Sequence, residues 1–327
     1  MRRREFIAGL GSAAAWPLAA RAQQRALPVI GLLSAQSADD YKNVTLRARR
    51  AVGEGLKETG YVMGQNVGVE YRYAENQMDR LSALAADLVR RRVTVIVAAG
   101  TPAALAAKAA TTTIPIVFVT AGDPVALGLV ASLNRPGANL TGSAALETEL
   151  APKQLQLLRQ LIPNAALFGV LADPAFPGTP SVIADLQAAA RTLGLQLVVV
   201  NARTDSDLET AFATFSQQGV GAVLGLTAVA PHTEQLVALA ARHALPAIFS
   251  YREFVLAGGL ISYASSINEV WRIVGGYAGR ILKGDKPADL PVQQVTKIDL
   301  VINLKTAKVL GLTIPETLLA TADEVIQ

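Results

Sequence analysis

Short, continuously apolar, β-branched runs alternate with stretches of helical length, and the alternation occurs twice along the 327 residues. In the first half Val29–Leu33, Val67–Tyr73, Val93–Ala98 and Ile114–Val119 read as strands, separated by helices over Thr45–Thr59, Met78–Arg92 and Pro102–Ala110. In the second half Leu167–Leu171, Leu195–Val200, Ala222–Leu226, Ala247–Phe249 and Leu260–Ala264 read as strands, separated by helices over Ser181–Leu193, Ser206–Gln218 and Pro231–His243. A helix over Asn268–Leu282, a strand near Ile298–Ile302 and a helix over Lys305–Leu310 close the chain. A strand covered by helices on both faces has no wet side, so it loses the period-two alternation and reads as one apolar run. The expected fold is therefore α/β: two doubly wound, Rossmann-like parallel-sheet lobes of similar size. The turn-rich Asn134-Arg135-Pro136-Gly137-Ala138-Asn139 leads into Leu140-Thr141-Gly142, which is expected to cross between them.

The first residues carry a different signal. Arg2-Arg3-Arg4 precedes Phe6-Ile7-Ala8-Gly9-Leu10 and an uncharged stretch through Ala20, followed by the small-x-small site Ala20-Arg21-Ala22. A charged start, an apolar run short of a membrane span and a small-residue site make an export leader. Arg3-Arg4-Glu5-Phe6-Ile7 resembles a bacterial twin-arginine signal, although an arginine stands where Ser or Thr usually precedes the pair. Cleavage after Ala22, a periplasmic mature protein of about 305 residues and two ordinary domains are the expectation.

Charge and reactive residues narrow the function. Without Arg2, Arg3, Arg4, Arg21 and Glu5 the chain holds 26 basic and 25 acidic residues, which gives no electrostatic reason to expect a nucleic acid or an anionic membrane. It has no cysteine and two histidines, His232 and His243, too few for a His- or thiolate-based metal site. No Gly-x-Ser-x-Gly elbow, Ser-x-x-Lys or P-loop occurs, and Gly219-Val220-Gly221 precedes a strand where a dinucleotide turn would follow one. Neither an enzyme nor a cofactor or metal is expected.

Polar residues gather instead where the strands end, the edge at which open α/β sheets bind ligands. They are Ser34 and Gln36, Thr101-Pro102, Thr120 with Asp123-Pro124, Asp173 to Phe176, Thr227, Ser250-Tyr251-Arg252-Glu253, and Tyr263 with Ser265. Each also has a purely structural reading. Thr101-Pro102 forms an N-cap and first-turn proline, Asp123-Pro124 starts a turn, and Tyr251 and Arg252 open a short helix. Phe176 and Trp271 read as packing, and His243 and Arg90-Arg91-Arg92 as solvated helix ends.

Several stretches resemble the ABC-transporter substrate-binding proteins of the tryptophan-binding-like group, which have the type I periplasmic binding fold. The resemblance spans the mature length. It is carried by residues 300–312 (Leu-Val-Ile-Asn-Leu-Lys-Thr-Ala-Lys-Val-Leu-Gly-Leu), by Thr101-Pro102-Ala103-Ala104, Gly122-Asp123-Pro124-Val125 and Leu133-Asn134-Arg135-Pro136-Gly137, and by 281–289. It implies two lobes joined by a three-segment hinge: 27–142 with 266–290, and 143–265 with 291–327. It also implies a small-molecule solute held in the cleft by Ser34, Thr101, Asp123, Asp173, Thr227, Ser250, Glu253 and Tyr263, a partner ABC permease in the inner membrane, and a monomer. An amino acid is the expected solute, its carboxylate at the helix that starts at Thr101 or on Arg252, its ammonium on Asp123 or Glu253. One departure argues against an aromatic solute: Thr227-Ala228-Val229-Ala230 stands where relatives carry Asp or Asn with aromatics. The alternatives are a periplasmic sensing module for a membrane kinase and an exported hydrolase. A sugar-responsive repressor shares the lobes but lacks an export leader, and this chain has no helix-turn-helix.

Overall fold

A computed structural model describes residues 27–37, 42–145, 147–174, 178–226 and 232–327. The expected leader, Phe176 and Thr227 lie outside those residues. The chain runs β1 (Val29–Ser34), α1 (Lys42–Glu58), β2 (Gly68–Tyr73), α2 (Leu81–Arg90), β3 (Val95–Ala99), α3 (Thr101–Ala110), β4 (Ile116–Thr120) and β5 (Leu140–Ala144). It continues through α4 (Glu147–Leu161), β6 (Leu167–Ala172), α5 (Thr179–Leu193), β7 (Gln196–Asn201), α6 (Asp205–Gln217), β8 (Ala222–Gly225), α7 (Thr233–Arg242), β9 (Ala247–Phe249), α8 (Arg252–Leu256) and β10 (Ile261–Ser265). The last elements are α9 (Ile267–Leu282), β11 (Gln293–Gln294), β12 (Ile298–Asn303), α10 (Leu304–Val309), α11 (Glu316–Thr321) and β13 (Glu324–Ile326).

These strands form two sheets with one topology. The first has the order β2-β1-β3-β4-β5-β11 and is parallel throughout. The second has the order β7-β6-β8-β9-β10-β12-β13, parallel except where β12 runs against β10. Each sheet starts in its middle, winds one way for one strand and then the other way for the rest. The order thus reverses between β1 and β3, and again between β6 and β8, which leaves a crevice at the carboxyl ends of those strands.

Helices cover both faces, as the apolar strands require. In the first lobe Leu33, Ile96 and Phe118 pack on Leu88 of α2 and Ala103 of α3. On the opposite face Ile30, Val97 and Val117 meet Val52 and Leu56 of α1 and Val274 and Ala278 of α9. In the second lobe Phe168, Val170 and Leu224 pack under α4 and α5, and Leu171, Val223 and Phe249 under α6 and α7. The chain thus crosses between sheets after β5, after β10 and between β11 and β12, so α9 roofs the first sheet and α4 the second.

The sequence predicted neither β5 nor α4. Leu140-Thr141-Gly142, expected as a crossover, is a buried strand, because Leu140 to Ala144 pair with Ile116 to Thr120. The first sheet therefore keeps residues 143–144 and regains 293–294, and the expected divisions at 142/143 and 290/291 fall a few residues before the actual crossings.

Candidate functional site

The carboxyl ends of β1, β3 and β4 gather the first lobe's polar residues. Ser34 is buried, and its Oγ accepts the Gln36 backbone N–H at 3.2 Å. Thr101 and Thr120, also buried, place their hydroxyls 2.8 Å apart between the start of α3 and the end of β4, and the Gly122 N–H reaches Thr120 Oγ1 at 3.2 Å. The expected N-cap is corrected here: Gly100, not Thr101, caps α3, with no side-chain cap bond. Its φ of 94° lies in a region that favours glycine, and this turns the Thr101 hydroxyl toward Thr120. Pro102 sits in the first turn as its fixed φ allows. The first-turn N–H groups of α3 are consequently uncapped by any side chain, an arrangement suited to a carboxylate. Asp123 is exposed, and its Oδ1 accepts the Val125 N–H at 2.8 Å, so the carboxylate closes its own turn.

In the second lobe Asp173 and Arg252 are engaged internally. Arg203 Nε lies 3.4 Å from Asp173 Oδ1, and the Asp173 carbonyl accepts the Thr179 hydroxyl at 2.6 Å. Arg252 forms a bidentate pair with Glu324 of β13, with Nε to Oε2 at 2.6 Å. The guanidinium holds the Glu324 carboxyl below its ordinary range, and Glu324 in turn raises Arg252. Arg252 is thus a clasp on the C-terminal strand, not a free partner for a solute carboxylate. Tyr251 caps α8 without a side-chain cap bond. Tyr263 is half-buried, which pushes its phenol up.

Hydrogen bonds between the lobes include those of Glu253 and Ser265. Glu253 is 9% exposed, and its Oε1 accepts Arg47 Nη1 of α1 at 2.7 Å. Ser265, where β10 leaves for the first lobe, donates to the Ala145 carbonyl at 2.9 Å. Ser250, Tyr251, Arg252, Glu253 and Ser265 line one hollow with Arg47. The expected ammonium site on Glu253 is therefore occupied by the other lobe's guanidinium.

Sequence reasoning missed three features. Gln154 of α4 is buried, and its Nε2 donates to the Tyr263 carbonyl at 2.7 Å, fixing the end of β10. A lone glutamine in a helix otherwise reads as surface. Arg47 stands beside Arg49 and Arg50 in α1, and nothing in that run singles it out. The third is a chamber in the first lobe of about 650 Å³ including its open mouth, lined by Ser34 and Gln36 together with Tyr71, Tyr73 and Trp271. Its sequence signal was the apolar and aromatic set Val69, Tyr71 and Tyr73, which alternation places on one face of β2.

Comparison with known proteins agrees with this geometry. A tyrosine-binding protein from Clostridioides difficile (strain R20291) is 27% identical over 273 residues, 81% of this chain and 77% of that protein. A conserved domain protein from Vibrio cholerae superposes with a TM-score of 0.83 at 28% identity, over 92% of this chain and 100% of that one. The ABC domain from Streptococcus pneumoniae in complex with L-Trp gives 0.81 at 26% identity, over 92% and 100%. Among the described residues no helix is long and apolar enough to cross a membrane. With the two-lobed fold in place and the family model matching residues 42–326, the chain belongs to the ABC transporter substrate binding protein family, whose members bind substrates rather than transform them.

Proposed function

We propose that this chain captures an amino acid or a similar small carboxylate between its lobes outside the cytoplasm and presents it to an ABC permease. The observation that carries the reading is the pair of matched sheets whose polar carboxyl ends come together, with Arg47 of one lobe holding Glu253 of the other. A solute that contacts both lobes favours the closed arrangement by its differential affinity for it, and the permease reads that closure. The solute carboxylate meets the uncapped first turn of α3, with the Thr101–Thr120 hydroxyl pair beside it. The relatives that bind tyrosine and L-Trp support an amino acid. The leader over 1–22 carries the chain to the periplasm, where it works as a monomer after cleavage behind Ala22. Lobes of residues 27–145 with 266–294, and 147–265 with 298–327, swing about the three crossings.

Calorimetry against the twenty amino acids tests the reading, with Thr101→Val and Thr120→Val beside the native chain. At least one amino acid is expected to bind the native protein and to lose affinity in both variants. No heat from any of them, with turnover of a solute instead, would favour the hydrolase alternative.

A further inference from the structure

Two cations and two anions meet where the second lobe faces α1 of the first: Arg47 and Arg252, Glu253 and Glu324. Asp299 lines the same hollow as Arg47, Arg252 and Glu253. These charges admit two pairings. In the one observed, Arg47 donates to Glu253 across the lobes at 2.7 Å, and Arg252 gives two N–H groups to the Glu324 carboxylate. In the other, Arg252 turns to Glu253, its neighbour in sequence, whose charge already acts on it more strongly than that of Asp299. The first pairing ties the lobes together. The second lies wholly within one lobe and takes Glu253 away from Arg47.

The fold holds the backbone of this group still. Glu324 registers with Val301 of β12, and the adjacent Asp323 accepts the Leu300 N–H at 2.8 Å while its own N–H reaches the Leu300 carbonyl. On the other side α8 is anchored from behind. Phe254 stacks on Phe249 with ring centroids 4.2 Å apart, and Asn303 Nδ2 donates to the Val255 carbonyl at 3.3 Å. Glu253 therefore stays at the lobe boundary, where a nearly buried carboxylate without a cation is costly. Which guanidinium is free decides its partner. Glu324 occupies Arg252 through the planar, two-bond fit that arginine and carboxylate favour, and Glu253 is left to Arg47.

We infer that Glu324 is a positioning residue for lobe closure: by engaging Arg252 it reserves Glu253 for Arg47, and the last strand thereby sets how far the lobes stand open before a solute arrives. Such a role rests on the moving lobes of the capture reading above and assigns its regulation to β13, at the far edge of the second sheet. A closed form populated in advance raises apparent affinity, because a solute meets a larger competent fraction.

The chain has no cysteine, so donor and acceptor dyes at Asp79→Cys and Ser206→Cys, exposed positions on the two lobes, report opening by energy transfer. In the solute-free labelled chain, Arg47→Gln is expected to shift the open-to-closed ratio about fivefold toward open, and Glu324→Gln to do the same. Adding Arg252→Gln to Glu324→Gln removes the competitor for Glu253 and is expected to return the ratio to within about twofold of native. A merely structural role for Glu324 would not be rescued by a second substitution in the same clasp. Thermal melts verify folding; should Glu324→Gln not fold, Glu324→Asp, too short for the two-bond grip, takes its place under the same criteria. A native ratio in Arg47→Gln or in Glu324→Gln would overturn the inference. So would an opened Glu324→Gln chain that Arg252→Gln does not restore. Calorimetry of the native chain with the twenty amino acids reads solute capture separately. Binding together with an overturning dye result removes only the role of Glu324, whereas the expected dye result without binding upholds that role and removes the capture reading.

Discussion

Arg47 and Glu253 are 206 positions apart and meet only because the two lobes face each other, so their ion pair reports on that relation directly. Their side chains are 26% and 10% exposed, between the weak surface case and the costly buried one. A double-mutant cycle with Arg47→Gln and Glu253→Gln, read in thermal melts, is expected to give a coupling of about 1 kcal/mol; additive effects would mean the lobes do not hold each other this way in solution. The Arg252–Glu324 clasp predicts a pH signature. Glu324 is held below the ordinary value of 4.5 in the folded chain, so its stabilisation is complete above that pH and fades as pH falls further. The melting-temperature gap between the native chain and Glu324→Gln should therefore be widest near neutrality and close toward about pH 3. Solvent screening limits that gap to the equivalent of about 1 kcal/mol. Residue types were legible in the sequence, but their partners were not. Arg252 looked like a free cation because Glu324 lies 72 positions away on a strand that no periodicity announced.

At the scale of elements, helix packing in the first lobe depends on glycine. A Cβ on Gly55 would stand 2.0 Å from the Arg272 carbonyl oxygen, and one on Gly275 would stand 2.2 Å from that of Val52, so α1 and α9 touch backbone to backbone. The contact is flanked by Arg272, which binds Glu58 of α1 and Glu269 of its own helix. Gly275→Ala should cost about 1–3 kcal/mol in denaturant unfolding through overpacking, although alanine is intrinsically the better helix former by about 1 kcal/mol. A stabilised variant would mean that the helices lie further apart. Elements with a continuous apolar run or a clean helical period were legible to within a few residues. Those with mixed signals were not: Leu140-Thr141-Gly142-Ser143-Ala144 has a glycine and two hydroxyls inside a buried strand, and α4 carries Pro152 in its interior.

For the whole molecule, the two doubly wound lobes were legible because each half repeats the same alternation, whereas the lobe divisions were blurred where β5 and β11 belong to the first sheet. Both crevices lie at carboxyl strand ends, and the chain passes between the sheets three times, which permits a hinge while restraining separation. Such a molecule should have an open and a closed arrangement whose balance a solute shifts by contacting both lobes at once. Small-angle X-ray scattering of the native chain, first alone and then saturated with an amino acid already shown by calorimetry to bind, tests this most directly. The account predicts a smaller radius of gyration in the bound sample; superimposable curves with the solute bound would contradict it.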